Sequence, residues 1–256
     1  MVKVSEKAVE KVVEKKVVEE RKDIPSLQEL LEAGAHFGHS VKRRNPKMDE
    51  YIYATKNGVQ VFDLVKTRKL LIEACEYLEE VVAKGGEVVV LGTKGQAADV
   101  IREESVRVGN AYIVNRWVGG LFTNWEEIKK RIDRLSEMRE KMEAGDYKIY
   151  TKKEQVLLKR EIDRLDRMFG GLVSLKKLPD ALFVVDPLRE DTAVREAMAR
   201  NIPIVAVCDS NSDPENLYKI IPANDDSLKT VKILVTEVVK AIERGMKERK
   251  KVVENK

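Results

Sequence analysis

The chain has two histidines, His36 and His39, which lie three residues apart in a glycine-containing segment. Two imidazoles at such a spacing could bind one metal ion. No cysteine and no cluster of carboxylates accompanies them along the chain, so a zinc site would lack its other ligands. The two cysteines, Cys75 and Cys208, fall in apolar stretches and are interpreted as small core residues. We therefore expect no metal and no cofactor.

The segment Asp209-Ser210-Asn211-Ser212-Asp213 spaces side-chain oxygens like the start of a calcium-binding loop. It lacks the glycine and the distal glutamate of such a loop, and a proline follows instead. A turn is the favoured interpretation. A hard cation near Asp209 and Asp213 is the weaker alternative.

A third candidate, Gly92-Thr93-Lys94-Gly95-Gln96, follows a predicted strand and precedes a predicted helix. Its spacing fits neither a dinucleotide-binding loop nor a P-loop. A simple tight turn is the first interpretation, and contact with RNA phosphate through Lys94 is the second. The least favoured is a nucleotide cofactor, which would make the protein a nucleotide-binding α/β enzyme. No nucleophile motif accompanies the loop, so the sequence predicts that the protein is not an enzyme.

Cations are clustered, although the net charge is only +4. The segment Val41–Lys47 contains four basic residues and no acidic residue, which suits it to neutralising several phosphates. Trp117 beside Arg116 could stack on a base, although packing is the more common role of a lone tryptophan. From charge alone, a polyanionic partner and a solvated lysine- and glutamate-rich surface are about equally supported. The predicted RNA-binding residues are Lys42, Arg43, Arg44, Lys47, Lys94, Arg116, Trp117, Lys129, Lys130, Lys152, Lys153, Lys159 and Arg160.

The elements that must position these residues alternate between strands and helices, a pattern typical of a parallel sheet covered by helices. The sequence predicts an α/β fold with a doubly wound parallel sheet of about five strands. Tyr51–Ala54 and Val59–Phe62 are predicted to form a hairpin around Asn57-Gly58, and residues 35–49 a loop. From Thr123 to Phe169, two charged runs with apolar residues at spacings of three and four predict an antiparallel αα-hairpin. Its apolar faces are expected to be separate from those of the sheet.

The chain is thus divided into four parts. Residues 1–25 form an N-terminal extension, helical or disordered, and residues 26–122 with 170–240 form the α/β domain. Residues 123–169 are the inserted hairpin, and 241–256 a basic C-terminal tail. Neither a disulfide pattern, nor a secretory signal, nor a long apolar run is present, so a reducing compartment is expected.

Several longer segments stand out along residues 26 to 240, and they are Leu30–His39, Asn45–Met48, Asn115–Trp125, Leu178–Asp186, Asp209–Pro214 and Ile221–Asp226. In type and in order these segments resemble the ribosomal protein S2 family. The resemblance implies a flavodoxin-like sheet in three layers, α/β/α, with a protruding coiled-coil hairpin.

The resemblance also implies a structural role on the small ribosomal subunit, in the cytoplasm, bound to rRNA near the junction of head and body. Expected partners are rRNA and neighbouring ribosomal proteins. The hairpin length is similar to that of bacterial and organellar members, and bacterial members also help to recruit the large mRNA-binding protein S1.

Overall fold

The computed structural model of the protein describes residues 24–254. The predicted N-terminal extension lies outside the described residues, except for its last two. Of these, Ile24 is buried in the core, and the backbone oxygen of Pro25 accepts a hydrogen bond from the guanidinium of Arg68 (3.0 Å).

Five parallel strands form the central sheet, as the sequence predicts. In chain order they are β4 (Val88–Leu91), β5 (Ala111–Ile113), β6 (Ala181–Val185), β7 (Ile204–Cys208) and β8 (Lys219–Pro222). Their spatial order is β5-β4-β6-β7-β8, and every neighbouring pair is parallel. If β4 is counted as the first strand, this is the 2-1-3-4-5 order of flavodoxin-like sheets.

Helices cover both faces of the sheet, because alternate residues of each strand point to opposite sides. Val88 and Val90 face a core cluster that includes α2 (Leu64–Ala83), α3 (Gly95–Val108) and α7 (Leu228–Glu254). Val89 and Leu91 face a second cluster that includes α6 (Asp191–Ala199). A short helix, α1 (Leu27–Ala33), begins at a capping box on Ser26 and ends at Gly34, whose φ is 81°.

Helix α7 continues to Glu254, through the region that the sequence sets apart as a basic tail. Ala241 and Ile242 are fully buried in that region. The last helix is therefore part of the core well beyond residue 240. Among residues 24–254, no helix is long and apolar enough to cross a membrane.

Two helices, α4 (Trp125–Ala144) and α5 (Lys152–Phe169), interrupt the strand–helix alternation. A left-handed Gly145 ends α4, and a capping box of Thr151 and Glu154 begins α5. Their apolar side chains belong to the same cluster as β4 and β6, and Phe169 is fully buried there. The expectation of separate apolar faces is therefore wrong, because one continuous apolar cluster runs from the second face of the sheet into the helix pair.

A second, antiparallel sheet lies beside the carboxyl end of the parallel sheet. It consists of β1 (Phe37–Ser40), β2 (Ile52–Lys56) and β3 (Val59–Phe62), in the order β1-β3-β2. The predicted hairpin is confirmed, with both Asn57 and Gly58 at positive φ. The prediction of a loop over residues 35–49 is wrong, since this stretch contains β1 and two 3₁₀ turns. Strand β1 is held by β3, a contact distant in sequence that local periodicity does not reveal.

Candidate functional site

In open α/β sheets, ligands bind beyond the carboxyl ends of the strands, where the strand order reverses. Here the side chain of Lys94, which follows β4, occupies that edge. Its Nζ lies 2.7 Å from Asp225 and 2.5 Å from Asp226, which both follow β8. Asp186, which follows β6, lies 3.5 Å away. The side chain of Lys94 is only 12% exposed, so its charge is committed to carboxylates of the same chain.

The pKa shifts agree with an internal ion pair. Burial by itself lowers the pKa of Lys94, but the carboxylates of Asp225 and Asp226 outweigh it and raise this pKa. Lys94 in turn lowers the pKa of Asp226. Asp225 is more deeply buried, and burial together with nearby Asp186 raises its pKa. Lys94 therefore carries a full positive charge that the protein itself neutralises.

Two further residues of the Gly92–Gln96 loop, Gly92 and Thr93, are also enclosed by protein groups. Both the backbone amide and the hydroxyl of Thr93 donate to the carboxylate of Glu190, which is only 4% exposed. A β-carbon at Gly92 would lie 2.6 Å from a methyl group of Ile101, so this glycine allows close packing of strand and helix. The loop is thus built as a tight turn, and its Thr93 amide is already paired with an anion.

His39 links the antiparallel sheet to the same edge. Its Nδ1 lies 3.0 Å from Asp209, which follows β7, and its Nε2 lies 3.5 Å from Asp226. The hydrogen bond with Asp209 raises the pKa of His39, while burial lowers it, and the charges of Asp209, Asp226 and Asp225 raise it further. Burial lowers the pKa of His36. Within residues 24–254, no three His, Cys, Asp or Glu side chains are placed to hold a metal ion.

A second buried carboxylate organises the segment that carries Arg116 and Trp117. Glu196 of α6 accepts hydrogen bonds from the indole of Trp117 (3.0 Å) and from the backbone amides of Gly120 (2.8 Å) and Phe122 (3.0 Å). The amide and hydroxyl of Thr123 point to the same carboxylate. Trp117 is 7% exposed and packs edge-to-face on Phe122. Packing is therefore the role that the structure gives this tryptophan.

Apart from Lys94, the predicted RNA-binding cations fall into two groups. Four surface cations are paired with carboxylates: Arg44 with Asp49, Lys47 with Asp213 and Glu215, Lys129 with Asp133, and Lys130 with Glu127. Seven others are exposed and lie within ion-pair distance of no carboxylate in the part of the chain that the structure describes. We call these the free cations: Lys42, Arg43, Arg116, Lys152, Lys153, Lys159 and Arg160.

The free cations take no part in the ion pairs around Lys94. Lys42 and Arg43 lie in a 3₁₀ turn directly after β1. Arg116 lies on the segment that Glu196 fixes, and the other four lie in the first half of α5. The cations left for a polyanion are thus different residues from Lys94, which is neutralised by the chain's own carboxylates.

A comparison with protein families gives the same result as the motifs. The family model described as ribosomal protein S2 matches residues 30–245.

The chain belongs to the ribosomal protein S2 family. This is a family of structural proteins of the small ribosomal subunit, not of enzymes, and membership implies a place on the ribosome. The match includes the carboxyl edge, the Glu196 segment and both helices α4 and α5.

The sequence did not single out the carboxylates that surround Lys94, nor Glu196, which accepts from the donors of residues 117–123. Asp186, Asp225 and Asp226 are terminal residues of family-like segments, so their position just after strand ends was the available signal. Glu196 lies inside an ordinary helical pattern. Nothing in its local sequence indicates that it is buried or that it accepts a hydrogen bond from Trp117, which lies 79 positions earlier in the chain.

The carboxylate of Glu196 yields the first prediction. Glu196→Ala is expected to lower the free energy of unfolding by about 3–5 kcal/mol, because it leaves buried donors without an acceptor. Glu196→Gln, which keeps one acceptor oxygen, is expected to lower it less. Urea denaturation monitored by tryptophan fluorescence measures both. Equal stability of Glu196→Ala and the wild type would show that the segment does not depend on this carboxylate.

The same residue predicts an acid dependence. Burial raises the pKa of Glu196, but the donors from Trp117, Gly120, Phe122 and Thr123 outweigh it and lower this pKa overall. A lowered carboxyl pKa contributes stability above the unfolded-state value of about 4.3. That contribution should disappear as the pH falls through the folded-state pKa, and it should be absent in Glu196→Gln.

His39 predicts the opposite pH dependence. Its folded-state pKa is raised, so its pairing with Asp209 stabilises the fold fully below the unfolded-state value of about 6.5. The contribution, on the order of 1 kcal/mol, is expected to be lost as the pH rises through the folded-state pKa. Urea denaturation of wild type and His39→Gln from pH 5.5 to 8.5 measures it. The difference in stability between the two proteins should shrink with rising pH, and a constant difference would contradict the prediction.

Proposed function

We propose that this protein is a structural constituent of the small ribosomal subunit that binds rRNA through the free cations, on the cytoplasmic ribosome. The observation that carries the proposal is the division of its charges. Inner cations such as Lys94 are neutralised by the chain itself, whereas exposed cations at three separate places have no carboxylate partner among the described residues. Exposed and unpaired cations are the groups that release counterions when they meet phosphate.

A paired cation binds phosphate less favourably than a free one. Lys47, for example, is held by the carboxylates of Asp213 and Glu215, which would repel an approaching phosphate. Lys42 and Arg43, in the preceding turn, have no such neighbour to displace. We therefore assign the main phosphate contacts of this region to Lys42 and Arg43.

We further propose that α4 and α5 form an antiparallel coiled-coil hairpin that lies against rRNA. Apolar residues of both helices recur at spacings of three and four and share one cluster, including Ile132 and Leu135 of α4 and Ile162 and Leu165 of α5. The four free cations of α5 are exposed and belong to none of these packed positions. Such a hairpin would carry a charged outer surface toward the RNA.

The difference between free and paired cations gives the test. We expect the double variant Lys42→Gln/Arg43→Gln to weaken binding to small-subunit rRNA and to reduce the slope of log K against log salt by about 2. The matched control is Lys47→Gln, in the same region but ion-paired, which should change the slope by much less. Filter binding over a salt titration measures both. An unchanged slope in the double variant would rule out the proposed contacts.

We also propose that the end of the α4–α5 pair helps to dock the mRNA-binding protein S1. The apolar residues that line a surface groove there are Met138, Tyr147, Ile149, Tyr150 and Leu158, of which Ile149 is 86% exposed. The walls carry two carboxylates, Glu137 and Asp146, and two cations, Arg134 and Lys141, so they have no net charge that would attract a polyanion. An apolar groove of this kind suits a segment of a partner protein.

Leu157, which is 54% exposed and lines the adjoining groove, gives the test of this docking. Leu157→Ser is expected to weaken binding of purified S1 about tenfold, because an apolar contact is lost. The control is Val106→Ser, at an apolar position on α3 that is 62% exposed. Calorimetric titration of S1 measures both variants. If both bind S1 like the wild type, the groove is not the docking site.

A further inference from the structure

The antiparallel sheet has an outward face that no described element covers. Along β3, Gln60 and Phe62 are buried, while Val59 and Val61 are only half-buried. The strand register places Phe37 of β1 and Ala54 of β2 on either side of Val61. Neighbours across an antiparallel pair share a face, so Phe37 lies on the open side.

Phe37 is unusual for an aromatic residue, because 51% of it is exposed although it lies within a strand. One side of its ring is supported by His36, with ring centroids 3.9 Å apart, and by the turn at Gly34. The remaining surface of the ring faces solvent. The side chain is thus held in place without being buried.

The charge around this face is positive. Residues 35–62 contain five Lys or Arg and two Asp or Glu, a net charge of +3. Of the acidic residues, Asp49 already pairs with Arg44 and Gln60. Lys56 lies across β3 from Ser40, in the same row as Val59, and is exposed. Like Lys42 and Arg43, it has no carboxylate partner within the described part of the chain.

The β1 edge of the sheet is closed to another strand. The backbone amide of His39 in β1 donates to Asp209 and to the hydroxyl of Ser210 (2.9 Å). A β-carbon at Gly38 would lie 3.0 Å from that hydroxyl, so the loop after β7 covers β1 closely. At the β1 edge, where Phe37 lies, a partner must therefore approach the face and not extend the ladder.

We propose that this face binds an unpaired segment of RNA, with one base stacked on Phe37 and phosphates neutralised by Lys42, Arg43 and Lys56. An aromatic ring on an open sheet with surrounding cations is the combination that binds single-stranded nucleic acid, since every base has a π-face. The inference rests on the proposed rRNA binding and deepens it. It assigns an unpaired, base-accessible strand to this sheet.

The test uses the full chain and two labelled oligonucleotides of about twelve residues, an oligouridylate and its abasic counterpart, which keeps the phosphates but lacks bases. We expect Phe37→Ala to raise the Kd for the oligouridylate about ten- to a hundredfold, as measured by fluorescence anisotropy. Phe37→Leu, which keeps an apolar side chain without a ring, should lose as much, and Phe37→Tyr should bind like the wild type. None of the three should change the weaker affinity for the abasic strand.

Several outcomes would overturn the inference. They are an unchanged Kd in Phe37→Ala, wild-type affinity in Phe37→Leu, or a wild type that does not bind the oligouridylate. In each case, retained binding of folded small-subunit rRNA would leave the proposed function standing. Failure to bind either the oligouridylate or the folded rRNA would contradict the proposed function too. Because Phe37 is half exposed, thermal denaturation of the variants should match the wild type and exclude misfolding as the cause.

Discussion

The ammonium group of Lys94 lies at the edge of the parallel sheet among carboxylates that follow two other strands, β6 and β8. This interaction connects three strand ends at the point where related folds bind a ligand. Asp226 extends it to His39 and therefore to the antiparallel sheet. A buried charge without a partner is costly, so the arrangement of this whole edge depends on Lys94 keeping its carboxylates.

Glu196 repeats the same principle with opposite charge. Its carboxylate fills a ring of donors from residues 117–123, a place where backbone amides could otherwise hold an anion. Glu190 does the same at Thr93. The fold thus supplies its own ions at the places where an enzyme on this scaffold would bind cofactor or substrate. This arrangement fits a member of a structural ribosomal family, since a fold can be kept while its usual ligand sites are lost.

Charged side chains that form no buried ion pair lie on the surface, and the cations among them differ in whether a carboxylate lies within ion-pair distance. Neighbouring residues of similar type differ sharply: Arg43 is exposed without a carboxylate partner among the described residues, whereas Arg44 is paired with Asp49. The same contrast separates Lys129 and Lys130 on α4 from Lys152 and Lys153 on α5. Composition alone, with 36% charged residues, cannot make this distinction.

The sequence by itself determined the strand–helix alternation, the hairpin at Asn57-Gly58 and the family, because these depend on local periodicity, turn chemistry and ordered motifs. Only the tertiary structure decided that β1 is a strand, that α4 and α5 share the core of the sheet, and which cations are free. The physical reason is that these properties depend on contacts between distant residues: Lys94 and Asp225 are 131 positions apart, and Lys47 and Glu215 are 168. The sequence gives the charge of each side chain, but whether that charge is available to a partner depends on which residues the tertiary structure places beside it.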